Sequence, residues 1–154
     1  MFHEALGEVE TSDGHPFDGV AMIRYDGRDT RVGIIRDDQN LDTTVALAAE
    51  VVSRLGELDR LAKRIASKEL RATYNNGWNE YDEVQEDGSL KSVINPQLSE
   101  PEFEAKLTLN CVNVTGNSVV DFFYDDQNMF WGHSVLVSSL NGTAFSDARA
   151  EIVG

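Results

Sequence analysis

The sequence predicts an α+β fold: an antiparallel β-sheet, made of an N-terminal hairpin and a C-terminal meander, covered by a central helical hairpin. Three observations carry this. Apolar runs flank an Asp-Gly pair in the first third, an apolar stripe recurs every three to four residues in the middle, and alternation returns after Leu107. Strands, then helices, then strands point to α+β rather than a doubly wound α/β sheet. At 154 residues the chain is expected to form one domain, 1–154, with a core that needs no disulfide.

Leu6 to Glu10 suits a short strand, closed by the turn-rich Thr11-Ser12-Asp13-Gly14-His15-Pro16. Gly19 to Tyr25 and Thr30 to Arg36 then flank Asp26-Gly27, a two-residue hairpin signal. Asp42 is the expected N-cap of a first helix carrying Val45, Ala48, Ala49, Val52 and Leu55 on one face. Gly56 ends or kinks it. A second helix carries Leu58, Leu61, Ala62, Ile65 and Leu70, and stops at Asn75-Asn76-Gly77, residues that tolerate left-handed backbone.

Residues 79–98 are polar and turn-rich and are expected to form a mobile loop. Ser99-Glu100-Pro101-Glu102 has the spacing of a capping box, with Pro101 in the first turn. Leu107 to Val114, Val119 to Tyr124 and Trp131 to Leu140 read as a meander, with an edge strand over Ala148 to Val153. Cys111 shares parity with Leu107 and Leu109, which predicts a buried, inert thiol. It is the chain's single cysteine, so no internal disulfide forms, which fits a reducing compartment. The tetrapeptide Asp-Asp-Gln-Asn follows an apolar strand twice, at Asp37 and at Asp125; Asp and Asn are common where chains leave strands, so the echo is weak support for a duplication.

Charge sets the tone for function. Thirteen Lys and Arg against 27 Asp and Glu give a net charge of −14. That field repels phosphate backbones and argues against direct nucleic-acid binding, while it steers a basic partner inward. The start of the chain lacks the basic and apolar segments of a secretion signal, and no apolar run is long enough to span a bilayer. A cytoplasmic protein without a membrane association is therefore expected. Nothing in the sequence fixes its oligomeric state.

The segment Phe122 to Ser134 concentrates aromatic and polar chemistry around an acidic turn. Asp125, Asp126 and His133 are the weak metal candidates, since carboxylates and an imidazole suit Ca²⁺, Mg²⁺, Mn²⁺ or Zn²⁺. However, the Asp-x-Asp-x-Asp-Gly calcium loop is missing, as is any paired-histidine spacing. Ser134 adjoins His133, which on a strand sends the two side chains to opposite faces and excludes a simple dyad. His3 and His15 fall in expected loops with no partner. No Gly-x-Ser-x-Gly elbow and no phosphate-binding glycine loop occurs. No cofactor is indicated. Strand parity places Phe122 and Tyr124 on one face and Phe123 on the other, with Phe130 and Trp131 likewise divided.

The order of features, Asn-Asn-Gly-Trp closing the helices, Ser-Glu-Pro-Glu-Phe, then an acidic turn running into Phe130-Trp131-Gly132-His133-Ser134, resembles a bacterial family of small domains of unknown function. The likeness runs from about Trp78 to the C-terminus and more weakly over the helices. It implies an immunity-protein type of role and carries over no catalytic residue. The leading expectation is a non-enzymatic, acidic binding protein of immunity or inhibitor type that neutralises a basic toxin or nuclease. Its expected contacts are Trp78, Glu80, Tyr81, Asp82, Glu83 and Glu86, with Asp37, Asp38, Asp125 and Asp126. The alternatives are a metal-dependent enzyme or module centred on His133 with Asp125 and Asp126, and a phage-type inhibitor mimicking nucleic-acid charge, which requires its acids on one face.

Overall fold

A computed structural model describes residues 1–12 and 16–154; the expected turn at Asp13 to His15 lies outside the described residues. The architecture is mixed α+β. Ten strands occur among the described residues: β1 (Phe2–His3), β2 (Gly7–Thr11), β3 (Gly19–Tyr25), β4 (Arg28–Ile35), β5 (Glu80–Val84), β6 (Leu90–Ile94), β7 (Thr108–Thr115), β8 (Val119–Asp125), β9 (Ser134–Ser139) and β10 (Arg149–Val153). The helices are α1 (Leu41–Ser53), α2 (Leu55–Thr73) and α3 (Glu100–Ala105). Eight strands form one sheet in the order β1-β2-β3-β4-β7-β8-β9-β10, and β5-β6 form a separate two-stranded ribbon.

The N-terminal hairpin closes as its turn chemistry demands. Asp26 and Gly27 both take positive φ, 50° and 76°, so Tyr25 pairs with Arg28 across a two-residue loop. The C-terminal meander β7-β8-β9-β10 is antiparallel throughout. The two halves join where β4 pairs with β7, and this seam is parallel: Arg31 lies beside Cys111 and Ile34 beside Val114. This parallel pair departs from the all-antiparallel sheet that the sequence predicts. It arises because the helices, the ribbon and α3 intervene, and a long crossover returns the chain to start β7 in the direction of β4.

The first helix begins two residues earlier than expected. Asn40, not Asp42, is the N-cap: its backbone is extended and its side chain accepts from Thr43 N at 2.8 Å. Asp42 instead sits in the first turn, where a carboxylate suits the positive end of the helix. The break between helices falls at Arg54 (φ −116°, ψ 18°), just before Gly56, and α2 follows at once. The capping box of α3 is present in both directions, with Glu102 N donating to Ser99 Oγ at 3.3 Å and Ser99 N donating to Glu102 Oε1 at 3.1 Å. Both long helices cover one face of the sheet, α1 over β4 and β7, α2 over β9, β10 and α3. Val32, Ile34, Val112, Val114, Val120, Phe122, Val135 and Val137 meet Ala48, Val51, Leu58, Ala62 and Ala66 there, all buried.

Cys111 corrects the parity reading. A register shift between Leu109 and Cys111 inserts Asn110, so Leu107 and Leu109 point inward but Val112 and Val114 take over the inward face beyond it. Cys111 therefore lies half-buried on the outer face, where Arg31 Nη2 approaches its Sγ at 3.4 Å. Burial pushes its thiol pKa up despite the guanidinium.

One buried carboxylate ties α2 to the sheet. Asp59 accepts from Tyr25 Oη and Tyr124 Oη, each at 2.7 Å, and pairs with Lys63 Nζ at 3.3 Å. Burial, reinforced by Asp59, raises the pKa of both phenols. Folded tyrosines thus keep protons that unfolded ones lose, so this contribution is full below about pH 10 and is lost as pH rises further. We expect Tyr25→Phe/Tyr124→Phe to remove a late, unfolding-coupled phase from the ultraviolet tyrosinate titration. Tyr124→Phe alone should lower stability by about 1–2 kcal/mol in urea unfolding, because it strips a partner from a buried acid.

Candidate functional site

The turn between β8 and β9 is organised by one carboxylate. Asp126 is buried, and its two oxygens accept from Asn128 N at 3.0 Å and Phe130 N at 3.1 Å. Desolvation pushes its pKa up, with the two N–H groups pulling the other way. Gln127, Asn128 and Trp131 all adopt positive φ, between 51° and 62°, and Gly132 follows at 86°. Such backbone is costly for a bulky residue and concentrates at functional sites. Its effect here is to send Phe130 inward and Trp131 outward.

Phe130 is fully buried and meets Tyr74, Trp78 and Phe103 edge-on, with ring centroids 6.0, 5.4 and 6.2 Å away. Trp78 also meets His133 at 5.9 Å, and Tyr81 of β5 meets Trp131 at 5.1 Å. Trp131 Nε1 donates to Trp78 O at 3.1 Å, yet 45% of the residue stays exposed. Trp78 is positioned by the wide turn over Tyr74–Trp78 that ends α2, where Gly77 takes φ 148°. The expected stop at Asn75-Asn76-Gly77 is this turn.

Three clefts surround this aromatic end. One of about 590 Å³ is lined by Ala72, Thr73, Asn76, Gly77, Trp78 and Trp131. A second, about 360 Å³, lies across the Trp78–Trp131 pair and includes Tyr81, Lys106 and Asn128. A third, about 380 Å³, brings Asp125, Asp126 and His133 together. Both oxygens of Asp126 are already engaged in the turn, and no group of three His, Cys, Asp or Glu side chains converges among the described residues. His133 packs on Trp78 rather than on Ser134, and the expected loop position of His3 is instead the short strand β1.

Residues 79–98, expected as a mobile loop, contain the ribbon β5-β6. Its pairing puts Glu80, Asp82, Val84, Leu90 and Ile94 on one face and Tyr81, Glu83, Lys91 and Val93 on the other, because sides alternate along each strand. Tyr81 turns toward Trp131. Val84, Leu90 and Ile94 are exposed, at 71%, 65% and 67%. At the tip, Ser89 donates from its hydroxyl and its N–H to Asp87, holding that carboxyl below the usual range.

The expected contact residues are thus divided. Trp78, Glu80, Tyr81, Asp82, Glu83 and Glu86 share the ribbon end, and Asp125 and Asp126 lie in the adjoining turn. Asp126 is buried and does not add to the surface. Asp37 and Asp38 follow β4 at the other end of the sheet, beside Gly116. The length of β8, about 20 Å, separates them from Asp125. A single acidic face uniting both pairs does not form. The repeated tetrapeptide also does two different jobs, with positive φ at Asp37 in one copy and at Gln127 and Asn128 in the other.

An eight-stranded sheet with helices on one face, an aromatic end and a separate acidic ribbon defines a small α+β domain. The chain belongs to the bacterial family described as "Uncharacterized protein conserved in bacteria" (DUF2262), whose model matches residues 3–149. No curated protein and no solved structure matches it. No helix among the described residues is long and apolar enough to cross a membrane.

A raised carboxyl pKa means that the folded chain favours the protonated acid. The stability from that proton is present below the unfolded aspartate pKa and is lost as pH rises through the folded value. Asp126→Asn removes this dependence. The stability of the wild type minus that of the variant should therefore fall from acid to neutral pH, as measured by chemical unfolding at a series of pH values.

Proposed function

We propose that this is a non-enzymatic binding protein of immunity or inhibitor type, which neutralises a basic protein partner such as a toxin or nuclease. The observation that carries the reading is the ribbon β5-β6. It holds Glu80, Asp82, Glu83, Glu86 and Asp87 against one cation, Lys91, and it exposes three large apolar side chains. Isolated two-stranded ribbons are marginal in water, so apolar side chains displayed on one are better explained by a covering partner than by folding. The acids then supply steering and register, while Val84, Leu90, Ile94 and the neighbouring Trp131 supply buried area.

The inhibitor reading requires no catalytic residue and draws on the −14 charge, which raises the encounter rate with a basic surface. Capture experiments with the protein as bait test it, run near about 50 mM and about 300 mM salt, where screening lengths differ by more than twofold. A basic protein should be retained at the lower salt, released at the higher, and held at least about tenfold more weakly by Asp82→Lys/Glu83→Lys. A captured protein that is not basic, or one indifferent to both salt and the variant, would overturn the reading.

A further inference from the structure

The charge is not spread evenly. Helix α2 spans 19 of the 154 residues but holds five of the thirteen cationic side chains: Arg60, Lys63, Arg64, Lys68 and Arg71. Two of these are engaged, Lys63 with Asp59 and Arg71 with Leu98 O at 3.2 Å. Arg60, Arg64 and Lys68 are exposed and have no ion pair among the described residues. The acids of the same helix are taken by other cations, Glu57 by Arg54 and Glu69 by Arg149. Spaced four apart, the three free cations follow one surface ridge of the helix. Continuing that ridge reaches Ala72, its last position before the helix ends, and Ala72 lines the 590 Å³ cleft walled by Trp78 and Trp131. No charged side chain lines that cleft.

We infer that this ridge and the tryptophan cleft together form a docking surface for an acidic, extended peptide segment ending in a bulky apolar side chain. The spacings agree. Residues four apart on a helix lie about 6 Å apart along the axis, and side chains two apart on an extended strand lie about 6.8 Å apart. Carboxylates at alternate positions of an extended peptide therefore meet successive cations, and the peptide's apolar end falls into the aromatic cleft. The wider field selects against a nucleic acid. A few carboxylates are matched locally, within about 8–10 Å of the ridge, whereas a long polyanion runs out over a surface of net charge −14. This surface is opposite in sign to the ribbon, and the inference stands whether or not the ribbon holds a basic partner.

Trp78 and Trp131 are the only tryptophans of the chain, so intrinsic fluorescence reports on the cleft directly. The probe is a blocked synthetic peptide with glutamates at alternate positions and a terminal phenylalanine. Its controls are the same peptide with lysines for glutamates and a single-stranded oligonucleotide of equal charge. We expect a saturable fluorescence change with the acidic peptide alone, weakened about tenfold by Arg64→Glu/Lys68→Glu. The milder Arg60→Gln/Arg64→Gln/Lys68→Gln should weaken it in the same direction, with the melting temperature showing that each variant is folded. No response to the acidic peptide, equal affinity in a folded variant, or tighter binding of the oligonucleotide would each overturn the proposal.

Discussion

The aromatic end of the molecule depends on the carboxylate of Asp126. A chain leaving β8 must turn, bury one aromatic and expose the next, all within six residues. Asp126 makes this feasible by accepting from the N–H groups of Asn128 and Phe130, which would otherwise be withdrawn from water without partners. With Phe130 fixed, Tyr74, Trp78 and Phe103 gain a common ring to pack on. The end of α2, the middle of α3 and the β8–β9 turn are thereby locked together. The ribbon is placed through the same group, since Tyr81 rests on Trp131, whose indole N–H is held by Trp78 O.

How much of this is legible from sequence depends on whether a local rule governs the residue. The Asp-Gly hairpin, the capping box and the in-out parity of Phe122, Phe123 and Tyr124 follow from turn chemistry and pleat, and the structure has all three. Cys111 shows the limit. A single inserted residue, Asn110, inverts every later side chain on β7, and no composition signal marks it. The ribbon is hidden for a different reason: Glu80, Asp82, Glu83, Lys91 and Ser92 interrupt the apolar alternation by which a half-buried strand is recognised. Asp126 shows a third limit. Of two adjacent aspartates, only tertiary placement decides which is buried. The parallel seam, likewise, is a property of the long crossover and not of either strand.

Charge adds a second level of organisation. The ribbon end is acidic and the exposed ridge of α2 is basic, and the aromatic clefts lie between them. Net charge alone conceals this polarity, since −14 describes the far field and not the contact surfaces. A partner bearing both signs in the complementary order would be oriented before it touched. That arrangement limits the ways in which two surfaces can meet, which serves specificity more than strength.

The parallel seam between β4 and β7 has a consequence for how the chain finds its fold. Every other pairing in the large sheet joins neighbours in sequence, and each is closed by a turn or a short connection. Arg31 and Cys111, by contrast, are 80 residues apart. Closing a loop of that size costs about 1.5 kcal/mol more chain entropy than closing one of about 15 residues. The strands of each half-sheet pair locally, whereas the inner edges of β4 and β7 meet only through the long connection that carries the helices over one face. The topology thus makes the seam the pairing of the large sheet with the greatest entropic cost of closure, and it is the only pairing that ties the two half-sheets to each other.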